Sequence, residues 1–192
     1  MQNIKCKGEE QSEYREYFYV LYFEFCILHY IDMKSATIHE IKQELSTVKP
    51  AQLAELCLRL GRFKKENKEL LTYLLFETHD EQGYISGIKK EIDEQFAAIN
   101  LSQLYFARKS LRKIVRIINK YCRYSGSKQT EVELRIYFCV QLKESGIPIE
   151  RNAVINNLYQ SQLKKTETVL ATLHEDLQYD YRKELDVLIS VS

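Results

Sequence analysis

The chain has 192 residues, 45% hydrophobic and 29% charged, with a formal net charge of +1 and a pI near 7.6. That balance excludes a disordered chain and counts against a dedicated nucleic-acid binder, for which a strongly basic domain is expected. Six Gly and two Pro are too few for a sandwich or barrel built from many turns. The five cysteines Cys6, Cys26, Cys57, Cys122 and Cys139 form no C-x-x-C pair and read as reduced thiols of a soluble cytoplasmic protein.

The N-terminal stretch is the oddest in composition. Residues 14–32 hold five Tyr and three Phe. The apolar part includes Glu24 and His29 and would rise only about 22 Å as a helix, against about 30 Å of hydrocarbon, so it makes a poor membrane span. Acidic residues before it, Glu9, Glu10 and Glu13, argue against a secretory signal. Three readings stay open: a helix docked on the main body, a segment at a membrane interface, and a stretch the native protein lacks because translation starts at Met33. Residues 1–32 are accordingly an aromatic-rich extension, and 33–192 a single all-α domain.

From Met33 onward the helical period persists. Thr37 and Glu40 make a capping box ahead of the stripe Ile38, Ile41, Leu45. Pro50 suits the first turn of a second helix with Leu53, Leu56, Cys57 and Leu60 on one face and Gly61 as a stop. A third helix is expected over 64–78, with Leu70, Leu71, Leu74 and Leu75 inward. Gly83 and Gly87 read as a turn or weak helix start before Ile88, Ile92, Phe96 and Ile99. Next comes a basic helix over 104–124 that ends near Gly126. Thr130 and Glu133 look like a second capping box, and the helix they open stops at Gly146-Ile147-Pro148. Residues 150–189 form one long helix or two medium ones. The fold class is therefore all-α, an irregular bundle or short helical array of about six or seven helices.

The basic helix holds the strongest local signal. Residues 95–130 contain no Asp or Glu and eight cations: Arg108, Lys109, Arg112, Lys113, Arg116, Lys120, Arg123 and Lys128. Without those eight, the remaining 20 Lys and Arg face 27 Asp and Glu, so one helix is basic and the rest acidic. At about 100° per residue, the cations from Arg108 to Arg123 fall within an arc of about 140°, and Leu111, Ile114, Val115 and Ile118 lie opposite. Like charges at i, i+4, as in Arg108, Arg112 and Arg116, repel, and something should offset that. Lys120 and Arg123 sit in the last turn, where the helix dipole favours cations. Internal pairing with Asp176, Asp180 and Glu184, or with Glu91, Asp93 and Glu94, is the plain account, together with a merely solvated face. The sharper account is an anionic partner: an acidic protein surface, a second copy of the chain, or nucleic acid, with Tyr105 and Tyr124 placed to stack on bases. A membrane partner is disfavoured, because the apolar half of the helix is needed in the core.

Other chemistry finds little support. Cys57 and Gly61 stand four apart as in a helix-turn-helix, but Asn67 occupies a position that should be apolar. No Glu-x-x-His unit exists, and Asp176, Asp180 and Glu184 on one helix face supply too few converging oxygens for a metal. There is no nucleophile elbow and no phosphate loop. The sequence thus points to a non-enzymatic interaction or scaffold protein, with no cofactor, no metal and no small-molecule substrate. Its site would be Arg108, Lys109, Arg112, Lys113, Arg116, Lys120 and Arg123.

Overall fold

A computed structural model describes residues 34–101 and 103–190. The readings for the aromatic segment 14–32, and Cys6 and Cys26 with it, lie outside the described residues. Among the described residues the protein is all-α, with eight α-helices and no strand. The chain divides into two units between Leu53 and Ala54.

In the first unit, α1 spans Ile38–Thr47. Its capping box forms reciprocally: the Thr37 amide donates to Glu40 at 2.7 Å, and the Glu40 amide donates to the Thr37 hydroxyl at 3.3 Å. Helix α2, Pro50–Phe63, starts with proline in the first turn and runs through Gly61 rather than ending there. A Cβ at Gly61 would lie 3.1 Å from the Leu71 side chain, so this glycine serves the close approach of the next helix. Asn67 then donates to the Leu60 carbonyl at 2.9 Å and satisfies one of the orphan acceptors at the end of α2. A single-residue junction at Lys64 leaves no room for the turn of a helix-turn-helix.

Helix α3, Lys65–Thr72, continues directly into a π-helical turn, Tyr73–Glu77. The wider turn shifts the phase of the helix face. Leu74 and Leu75, expected inward, are 51% and 68% exposed, and Tyr73 is buried in their place. Helix α4 spans Glu81–Ala97 and is capped by Asp80, whose carboxylate accepts from the Gly83 amide at 2.9 Å. Gly83 and Gly87 therefore lie inside a helix, not in a turn.

Helix α5 spans Leu104–Ser125, and Gly126 stops it at φ +64, a left-handed conformation that favours glycine. Helix α6 spans Lys128–Glu144. Its cap is Ser127, which accepts from the Thr130 amide; Thr130 itself is buried and donates its hydroxyl to Glu81 instead of capping. The C-terminal stretch is two helices, α7 over Ala153–Leu170 and α8 over Glu175–Ser190, which takes the total to eight.

Helix α6 is the axis of the second unit, packing on α4, α5, α7 and α8. Its buried residues Val132, Leu134, Ile136, Phe138 and Leu142 spread over an arc of about 200°, wider than the single stripe of a surface helix. The buried polar centre is Arg135. It donates to Glu131 at 2.6 Å, to Gln162 of α7 at 2.6 Å and to Asn119 of α5 at 2.9 Å, tying three helices together.

Candidate functional site

Burial of one side of α5 holds its basic side out. Ala107, Leu111, Ile114 and Ile118 are each 0% exposed. Side chains a third of a turn or more away must then face solvent, and Lys109, Arg112, Lys113, Arg116 and Arg123 are exposed, with Arg108 half-buried.

Four of these cations converge. Arg108, Lys109, Arg112 and Arg116 line a shallow groove of about 630 Å³, floored by Val115 and by Leu158 of α7, with Tyr105 at one end. The Arg108 and Arg116 Nε groups donate to carbonyls of their own helix, Leu104 at 3.3 Å and Arg112 at 3.4 Å. These bonds use only Nε, and the terminal N–H groups of Arg108 and Arg116 make no hydrogen bond among the described residues. Tyr105 is 64% exposed, with the Arg108 guanidinium carbon 5.8 Å from its ring centre.

Among the described residues, Arg108, Lys109, Arg112, Lys113, Arg116 and Arg123 have no carboxylate at ion-pair distance. None of the acids offered by the internal-pairing account forms an ion pair with these cations among the described residues. Glu91 accepts from the Tyr121 hydroxyl and Asp93 from the Tyr137 hydroxyl. Helix α8, with Asp176, Asp180 and Glu184 exposed on it, packs on α6 and α7.

Lys120 is different. Its ammonium donates to Glu69 of α3 at 3.0 Å and lies 4.4 Å over the Tyr121 ring, so it belongs to the fold's own charge pairing. Glu69 also accepts from the Tyr124 hydroxyl at 3.1 Å. Burial opposes ionisation of Glu69, but the bonds from Lys120 and Tyr124 and the nearby Lys65 hold its carboxyl below the ordinary range. Tyr124, a candidate for stacking on bases, is occupied here, whereas Tyr105 remains open.

Sequence reasoning missed two groove residues: Val115, expected on the side opposite the cations, and Leu158. Leu158 belongs to a regular apolar stripe on α7, and only the packing shows it half-buried at the edge of the core.

Catalytic and metal chemistry gain nothing from the geometry. No group of three or more His, Cys, Asp or Glu side chains could hold a metal among the described residues. Cys122 and Cys139 are buried, and burial pushes both thiols up to about 12, far from a reactive thiolate at neutral pH. Among the described residues no helix is long and apolar enough to cross a membrane. Comparison with protein families, curated proteins and solved structures finds no match.

Proposed function

We propose that the protein is a non-catalytic interaction or scaffold protein whose basic α5 face engages an acidic protein surface, on a partner or on a second copy of the chain. The observation that carries this reading is the set of four cations around one groove with no internal counter-charge among the described residues. The apolar floor of Val115 and Leu158 favours an acidic amphipathic peptide, whose carboxylates would meet the guanidiniums while an apolar side chain covers the floor. Arg108, Lys109, Arg112 and Arg116 are the contact residues in this reading. Lys113 and Arg123 add long-range attraction, and Lys120 holds the end of α5 in place. The free thiols Cys57, Cys122 and Cys139 fit a cytoplasmic setting.

Exposed Tyr105 beside Arg108 supports a second reading, nucleic-acid binding through the same groove, with the ring stacking on a base. Competition separates the two. Binding to an acidic peptide or polyglutamate should weaken at least about tenfold in the Arg112→Glu/Arg116→Glu variant, with helix content unchanged. Unaltered binding would reject the assignment. Displacement by random-sequence DNA or polyphosphate at far lower concentration than by polyglutamate would favour the second reading.

A further inference from the structure

A second concavity has the opposite chemistry. It lies among the π-helical turn, α4 and the C-terminal part of α5, with a volume of about 550 Å³. Four tyrosines build it, Tyr73, Tyr84, Tyr121 and Tyr124, chained at ring-centre distances of 4.5, 6.0 and 6.1 Å. Their hydroxyls are committed: Tyr73 donates to Glu81, Tyr84 to the Tyr121 carbonyl, Tyr121 to Glu91 and Tyr124 to Glu69. Tyr73 and Tyr84 are core residues at 5% and 8% exposure, so the ring surface left at the cleft belongs to half-buried Tyr121 and Tyr124, beside Lys120, and to exposed Phe76.

The ionisable lining points the same way. Glu69, Glu77, Asp80 and Glu91 line the cleft, and His79 is the one basic side chain among the lining residues. Glu69 is matched by Lys120, Asp80 caps α4, and Glu91 accepts one tyrosine hydroxyl. The Glu77 carboxylate accepts no hydrogen bond among the described residues. Lys120, seated over Tyr121 and against Glu69, shows a cation held by this same pairing of ring and carboxylate.

Two backbone features shape the cleft. One wall is the π-helical turn, a geometry concentrated at functional sites, and it brings Phe76 to the rim at 66% exposure. The other is Gly87, in the interior of α4, where glycine destabilises a helix relative to alanine. Gly83 has a local reason, since the Asp80 carboxylate occupies the space a Cβ would take. Gly87 has none: its φ is not positive, and a Cβ there would meet nothing within 4 Å. A side chain at 87 would project into the cleft, and its absence keeps the cleft open.

We infer that this cleft binds a small organic cation, an alkylammonium or guanidinium head group, seated against the ring surface of Tyr121, Tyr124 and Phe76 with Glu77 and Glu91 as counter-charges. The inference is independent of the α5 groove, with which it shares no lining residue. Titration of the full chain with tetramethylammonium and, separately, with blocked arginine amide, followed by calorimetry or tyrosine fluorescence, tests it. Saturable binding with a Kd of about 1 mM or tighter is expected for at least one probe. Preference for tetramethylammonium would indicate a small alkylated ammonium as the natural ligand, and preference for arginine amide a side chain of a polypeptide.

Gly87→Leu should fill the cleft and weaken binding at least about tenfold while leaving thermal stability equal or higher, because leucine is the better helix former. Glu77→Gln should weaken binding without filling the cleft and serves where Gly87→Leu misfolds. Absence of saturable binding for both probes up to about 10 mM, or binding that survives both variants, would overturn the inference.

Discussion

Helices α1 to α3 and helices α5 to α7 carry the same kind of amphipathic text, yet only the second set is buried. No residue of α1, α2 or α3 is fully buried, and Leu58 and Leu60 stand 57% and 58% exposed. In α5, by contrast, Leu111, Ile114 and Ile118 are completely covered. Period and caps decide that a helix forms and which side of it is apolar. Whether that side is buried depends on the neighbours, and α6 supplies them to α4, α5, α7 and α8.

The largest effect that sharpens this contrast is alkaline unfolding. Burial first, and carboxylate partners second, push Tyr73 and Tyr124 up to about 12, and burial pushes Tyr84 and Tyr121 higher still. In the unfolded chain these phenols ionise near pH 10, so the folded state holds protons that the unfolded state releases. The stability they lend is complete below about pH 10 and is lost as pH rises toward the folded values. Tyrosinate absorbance from this cluster should therefore appear in the same cooperative step as loss of helical circular dichroism. Smooth ionisation well ahead of unfolding would break the account of a packed cluster.

Core truncation comes next. Phe138→Ala should cost about 3 to 5 kcal/mol in a denaturant titration, whereas Ile38→Ala, at an exposed position of α1, should stay within about 0.5 kcal/mol. Similar costs at the two sites would erase the distinction between the regions. Arg135→Met follows, at about 3 kcal/mol, because it leaves Gln162 and Asn119 without their donor and Glu131 without its counter-charge. A neutral or stabilising result would mean that the three-helix polar tie contributes nothing net.

Local signals were legible where they acted on their own helix. The Thr37 and Glu40 box, the stop of α5 at Gly126 and the break at Gly146 form as the residues require. The acid-free face of α5 was readable for the same reason, since its segregation depends only on spacing along one helix. Long-range partners overrode local signals elsewhere. Thr130 has the pattern of a cap, but Glu81, 49 positions away, takes its hydroxyl, and Ser127 caps instead. Glu69 reaches Lys120 across 51 positions, so the sequence left that cation without a mate. The π-helical turn has no marker in residue type, and it turned Leu74 and Leu75 outward. Gly83 and Gly87 resembled a turn because glycine usually serves one, although here both lie within α4.

The contrast also holds within α5, between the cation that is paired and the arginines that have no ion pair among the described residues. Its most direct test is the thermal midpoint of the Arg112→Gln/Arg116→Gln double variant, measured beside Lys120→Gln. With no ion pair among the described residues to lose and like-charge repulsion relieved, the double variant should match or slightly exceed the parent protein, while Lys120→Gln should fall below it. A midpoint lowered by more than about 3 °C in the double variant would contradict the claim that the basic face is uncompensated.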